Sequence, residues 1–257
     1  MDNMPAGLGW IWIKQGFALF RKRPAEMTTL FLTYMFLMLG IGIIPVLGQI
    51  LPLILVPVFS MGFMQACVHL EQDQRIYPSL LLTGFRSPAF SRLMLLGLLY
   101  LLSAVVAVAA SSLVDDGVFW GAMSGQIALD GATMRDSNMS MAMLLSALLY
   151  APAAMALWYA APLVMWQDMA VGKAVFYSFF AVRRAGRAFL IYALIWVVIG
   201  VLLPAIISAV IAMIVNVPTV TLMILLPLSV VMTVIMYCSF YPTYTHVFGP
   251  APKSDQK

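Results

Sequence analysis

The sequence predicts an all-α fold, a polytopic transmembrane helical bundle of six spans, from three observations: composition, the placement of charges, and the length of the apolar blocks between them. Of 257 residues, 63% are hydrophobic and 9% charged, against roughly 45 to 50% and about 25% in an average soluble domain. Such a chain lacks the polar groups to coat a surface facing water. In hydrocarbon every backbone polar group must be paired, and these blocks far exceed the ~10 residues of a barrel strand, so they are helices.

A span needs about 20 residues at ~1.5 Å rise each. Residues 27 to 70 form a charge-free run of 44 residues, which holds two crossings. The runs 93 to 114, 137 to 167 and 188 to 252 hold one, one, and two or three. Asn216, Val217 and Pro218 interrupt the last run near its middle; a polar amide is costly in hydrocarbon and a proline restricts its predecessor, so two long helices flank a turn. The expected spans are 27–45, 48–70, 93–114, 139–165, 189–215 and 219–245, within one transmembrane domain covering 1–257. Pro52 and Pro57 in the second span and Pro152 and Pro162 in the fourth predict kinks.

Lys and Arg are retained on the cytoplasmic side, and 13 of the 14 fall on one side of this topology. They are Lys14, Arg21, Lys22 and Arg23 before the first span, Arg75, Arg86 and Arg92 between the second and third, Lys173, Arg183, Arg184 and Arg187 between the fourth and fifth, and Lys253 and Lys257 after the sixth. The exception, Arg135, shares its loop with Asp115, Asp116, Asp130 and Asp136. Both termini are expected in the cytoplasm. The net charge of +4 describes a basic collar and no nucleic-acid surface, because no basic run accompanies a DNA or RNA module. Met1 to Trp10 has no basic start, so no signal peptide is expected.

Two interfacial amphipathic helices are expected, 9–23 and 172–187. In the first, Trp10, Ile13, Phe17 and Phe20 share a face while Lys14, Arg21 and Lys22 occupy others. Pro24 ends it. In the second, Phe176, Phe179 and Phe180 precede Arg183, Arg184 and Arg187. A shift of 162 places Phe17 on Phe179, Arg21 on Arg183, Lys22 on Arg184 and Pro24 on Gly186. Leu81, Leu82, Phe85, Arg86, Phe90 and Arg92 form a weaker version before the third span. Three repeated units, each an interfacial helix followed by two spans, account for this pattern; so does the general habit of aromatic and basic residues to flank cytoplasmic helix ends.

No acidic, basic or histidine side chain falls near the midplane, where ion-coupled transport needs one. Cys67, His69, Cys238 and His246 offer metal-ligand chemistry, but a Cys-x-His pair points its side chains about 200° apart on a helix. Cys67 and Cys238 read as small packing residues without a disulfide. The outer-loop aspartates match no calcium loop. No serine or cysteine has an evident base, and phosphate-cradling glycine loops are absent, so no enzyme activity and no cofactor are expected.

The stretch from Gly9 to Pro24, Gly-Trp-Ile-Trp-Ile-Lys-Gln-Gly-Phe-Ala-Leu-Phe-Arg-Lys-Arg-Pro, resembles the opening of a family of uncharacterised proteobacterial inner-membrane proteins. More loosely, it is similar to the membrane domain in front of some bacterial glycerophosphoryl diester phosphodiesterases. The resemblance implies a plasma-membrane location and six spans. The catalytic barrel of those enzymes is missing here, so the resemblance carries no activity.

The expected function is that of an accessory or envelope-organising membrane protein, with anionic lipid headgroups held by Lys14, Arg21, Lys22, Arg23, Arg183, Arg184 and Arg187, and with a membrane protein as a second class of partner. The alternative is a permease or amphipath transporter with an uncharged cavity between the proline-bearing second and fourth spans.

Overall fold

The computed structural model describes residues 5–45, 47–127, 138–214 and 217–252. Its helices are α1 (Leu8–Lys22), α2 (Pro24–Gly42), α3 (Leu47–Glu71), α4 (Thr83–Arg86), α5 (Phe90–Asp115), α6 (Val118–Met123), α7 (Met139–Leu157), α8 (Ala160–Trp166), α9 (Val171–Arg184), α10 (Gly186–Val197), α11 (Leu203–Ile214) and α12 (Pro218–Phe248). A 3₁₀ turn, Pro78–Leu82, precedes α4, and no strand occurs among the described residues. Six stretches are long and apolar enough to cross a membrane: Pro24–Gly42, Ile50–Glu71, Phe90–Asp115, Met139–Trp166, Gly186–Ile214 and Thr219–Phe248.

Local chemistry sets the boundaries. Arg23 leaves the helical region at φ −146°, and Pro24 opens α2 at a position where its missing N–H costs nothing. The fourth span breaks at Trp158 and Tyr159. Pro162 cannot donate to the Trp158 carbonyl four residues earlier, and its ring crowds that carbonyl. In the fifth span Pro204 has the same relation to Gly200, and the helix widens into a π segment over Val198–Leu202. Pro52 and Pro57 stay inside the continuous α3. Val217 is extended before Pro218 opens α12; Asn216 lies outside the described residues, as do Asp130, Arg135, Asp136, Lys253 and Lys257.

The helices that precede each hairpin lie at one end of the bundle, the basic end, and their packing is cyclic. The 3₁₀ turn and α4 lie against α3, α9 against α7 and α8, and α1 against α12 and α10. Each leader therefore covers the second span of the preceding hairpin, and α1 closes the ring on the last. Small residues make the contacts. A Cβ on Gly16 would fall 2.6 Å from the Cα of Ser239, and one on Gly62 would fall 2.8 Å from the Leu80 carbonyl oxygen. Ser178 donates to the Met155 carbonyl at 2.9 Å and accepts the Tyr159 N–H at 2.9 Å. That second bond satisfies a donor freed by the break in the fourth span.

The offset of 162 residues maps helix end onto helix end: Lys22 onto Arg184, Pro24 onto Gly186, and Gly16 onto Ser178. Both leaders thus meet their neighbour through the same position. The buried core gathers at the basic end, with Trp12, Met27, Leu30, Met64, Leu93, Tyr159 and Tyr241 enclosed. Toward the opposite end the spans show apolar side chains outward, among them Phe36, Leu39, Ile206, Met213 and Met223, as a hydrocarbon solvent requires.

Candidate functional site

The basic end carries most of the charge, and the structure sorts its cations into tied and outward-facing sets. Where α1 meets α2, Lys22 Nζ donates to the Leu70 carbonyl at 2.9 Å and to Asp73 Oδ1 at 3.0 Å. Arg23 donates to the Asp73 carbonyl and to Glu26 Oε1, each at 2.9 Å. The other Glu26 oxygen accepts the Ile76 N–H at 2.7 Å. Lys22 and Arg23 therefore fasten the first leader to the loop that leaves the second span.

A second tie repeats the arrangement one hairpin later. Arg92, in the first turn of α5, donates to the carbonyls of Asp168 and Met169 at 3.2 and 3.3 Å and to the Asp168 carboxylate. Asp73 and Asp168 follow the second and fourth spans, and both have positive φ, 54° and 50°. Asn and Asp tolerate this left-handed conformation better than other non-glycine residues. Gly249 follows the sixth span with φ 90° and offers no carboxylate.

The third basic group is Arg183 and Arg184 in the last turn of α9 with Arg187 in the first turn of α10. All three are exposed, and among the described residues no carboxylate lies within 4.0 Å of them. Lys14 and Arg21 are also exposed, and Lys14 lies 5.8 Å from the centre of the Trp10 ring, one helical turn away. Of the seven cations expected to meet headgroups, five face outward and Lys22 and Arg23 are engaged with the protein itself.

α1 also buries a different face from the one its aromatic spacing suggests. Trp12, Ile13, Gly16 and Leu19 are enclosed, Phe17 and Phe20 are half-buried, and Trp10 is 49% exposed. Gly9 and Gly16, seven residues apart, face α10 and α12 and bring the backbones together; close approach at small residues is the usual means of holding helices in lipid. Trp12 packs at 5.2 Å on Phe189 and 6.0 Å on Tyr192, and Trp158 packs on the same two rings. The Tyr192 hydroxyl pairs with Ser239 at 2.7 Å.

The structure places Cys67 and Cys238 in one buried cluster, whereas the two histidines pair with backbone carbonyls. His69 Nδ1 lies 3.2 Å from the Arg75 carbonyl, and His246 Nδ1 lies 2.9 Å from the Pro242 carbonyl. Among the described residues no group of three or more His, Cys, Asp or Glu side chains is placed to hold a metal ion. One turn from the cysteines, Tyr241 donates to Glu71 Oε2 at 2.7 Å and so joins α12 to the end of α3.

Among the described residues, two clefts lie each between the spans of one hairpin and near the end opposite the basic collar. The larger, about 730 Å³, lies between the fifth and sixth spans along the π segment, Leu203, Leu225 and Met232. The smaller, about 520 Å³, lies between the first and second spans at Met38, Ile43 and Leu53. In the middle hairpin Ala107 and Ser111 face Ala142 and Ser146, and the Ser146 hydroxyl donates to the Ala107 carbonyl at 2.9 Å.

Over 252 residues, 96% of this chain and 93% of the relative, the sequence is 36% identical to a probable inner membrane protein of Burkholderia thailandensis. The chain belongs to that family. With its six apolar spans it is a multi-pass inner-membrane protein. No family model matches this inner-membrane protein, and no solved structure does.

The carboxylates that tie the collar, Glu26, Asp73 and Asp168, were absent from the sequence-based set of functional residues. A signal for two of them exists: Gln72-Asp73 and Gln167-Asp168 are the same dipeptide just beyond the second and fourth spans.

Proposed function

We propose that this inner-membrane protein is a non-enzymatic accessory or envelope-organising protein, with both termini in the cytoplasm, whose basic collar holds anionic lipid. One observation carries the reading: Lys14, Arg21, Arg183, Arg184 and Arg187 face outward from helices that are themselves locked into the bundle. A cation on a docked helix keeps its position at the membrane surface and pays little entropy to meet a headgroup. Each one near an anionic leaflet contributes about 1 kcal/mol. The one-sided distribution of Lys and Arg supports the cytoplasmic placement of this end.

The positions of the clefts support this reading over transport. They open between the spans of the first and third hairpins, whereas the second and fourth spans meet in the filled core, where Met61, Met64 and Leu163 are enclosed. A membrane protein partner on the same collar belongs to the proposal, and nucleic acid does not. The likeness of residues 9–24 to the membrane domain of glycerophosphoryl diester phosphodiesterases concerns a part of those enzymes without catalytic residues, and the reading takes no hydrolytic step from it.

The test is polymer extraction of the full-length protein with its surrounding lipid, followed by lipid analysis. Anionic phospholipid enriched over the bulk membrane, and reduced to the bulk ratio when Lys14, Arg21, Arg183, Arg184 and Arg187 are all changed to Gln, is the expected result. Bulk composition around the unaltered protein contradicts it.

A further inference from the structure

We propose that the turn joining α9 to α10 is a discrete phosphate site, formed by Arg183, Arg184 and Arg187, that takes the phosphodiester of an anionic lipid or a free phosphate from the same side. The proposal rests on the lipid-collar reading and narrows it to one of the three basic groups.

In the first hairpin, Lys22 and Arg23 are met by two carboxylates of the protein, Asp73 and Glu26. In the second, Arg92 is met by Asp168. The offset of 162 residues maps Glu26 onto Ala188, and the positive-φ residue after the sixth span is Gly249 where the others are aspartates. The third hairpin thus keeps Arg21 and Lys22 as Arg183 and Arg184, has Ala185 in place of Arg23 and a further cation at Arg187, while both anions are replaced by residues without a polar side chain.

Ala185 and Ala188, which flank Arg184 and Arg187 in the chain, pack in one cluster with Trp12 and Trp158. The indole N–H groups of Trp12 and Trp158 are buried and have no hydrogen-bond partner among the described residues. Three guanidinium groups within five residues supply fork-shaped donors suited to phosphate oxygens, and Arg serves such sites better than Lys because two parallel bonds form at once. An external anion completes here what Asp73 and Asp168 complete within the chain.

The experiment uses the full-length protein in nanodiscs of phosphatidylcholine with a minor fraction of phosphatidylglycerol. Native mass spectrometry counts retained phosphatidylglycerol, and a parallel titration in phosphatidylcholine alone uses inorganic phosphate. Changing Arg183, Arg184 and Arg187 to Gln is expected to weaken retention at least about tenfold, since three cations near a charged leaflet are worth more than the ~1.4 kcal/mol of one decade. Gly186→Asp, at an exposed position with nothing within 4 Å of an added Cβ, supplies an internal carboxylate and is expected to lower retention with the fold intact, as an acid in the first turn suits a helix. Loss of phosphate binding in parallel marks a phosphate site open to either source; loss confined to phosphatidylglycerol marks a headgroup site. If both variants retain phosphatidylglycerol like the unaltered protein while Lys14→Gln with Arg21→Gln abolishes retention, this site is refuted and the collar reading stands. If none of these changes alters retention, both fall.

Discussion

Gly16 of α1 lies directly against the backbone of Ser239 in α12, so close that a Cβ on the glycine would sit 2.6 Å from the serine Cα. The contact makes the first helix a structural element of the bundle rather than a float on the lipid. It is expected to be intolerant of bulk. Gly16→Val forces backbones apart and is predicted to cost at least the ~1–3 kcal/mol of an overpacked core. Gly40→Ala, where nothing lies within 4 Å, serves as the control, with a small gain of about 0.5–1 kcal/mol from helix propensity. Thermal unfolding of the purified protein distinguishes them.

Ser178, 162 residues on from Gly16, lies in α9 and bridges both sides of the break in the fourth span. Ser178→Ala leaves the Tyr159 N–H buried without an acceptor, which costs about 1–3 kcal/mol. Hydrogen exchange around Tyr159 is expected to rise in this variant more than exchange in α5. Equal protection in the variant and the unaltered protein contradicts the bridging role.

Lys22 and Lys14 are eight residues apart on one helix, yet different outcomes are expected from their loss. Lys22→Gln breaks a tie to Asp73 that is largely exposed, so the stability change is about 0–1 kcal/mol and shrinks in high salt. Anionic lipid retention stays unchanged. Lys14→Gln is expected to leave stability unchanged and to lower that retention. Lipid analysis and unfolding, performed on both variants, separate the two roles.

Cys67 and Cys238 come from the first and third hairpins and share one buried core cluster. A membrane-permeable thiol oxidant is expected to join them within one chain, while a membrane-impermeant maleimide labels neither until the protein is unfolded. Mass spectrometry of the linked peptide reads the outcome, and labelling of both thiols in the native protein contradicts the packing of α3 on α12.

The spans were legible because lipid imposes a simple rule. From Met27 to Leu70 the chain carries no charge, and one turn at its middle suffices to make a hairpin. Helix faces were harder to read. Trp10, Ile13, Phe17 and Phe20 mark an apolar stripe of α1, but the buried stripe runs through Gly9, Trp12, Ile13, Gly16 and Leu19 and shares only Ile13 with it. Hydrophobic spacing locates a face that avoids water, whereas Gly9 and Gly16 determine where another backbone can approach. The prolines behaved unequally for a related reason. Pro162 and Pro204 disrupt their helices, while Pro52 and Pro57 leave α3 continuous, so tertiary packing decides how a missing hydrogen bond is absorbed. The collar's cations were visible in the sequence. Which of them the protein neutralises depended on Glu26, three residues along from Arg23, and on Asp73 and Asp168, whose loops meet Lys22, Arg23 and Arg92 only after the hairpins have packed.

The account rests on the outward-facing cations lying at the cytoplasmic leaflet, and compartment-specific reporters test this directly. Reporters fused at each terminus and inserted at Ala170, before α9, are predicted to be active in the cytoplasm, and one inserted at Gly125 is predicted to be active on the opposite side. Cytoplasmic activity at Gly125 with external activity at Ala170 would contradict the account.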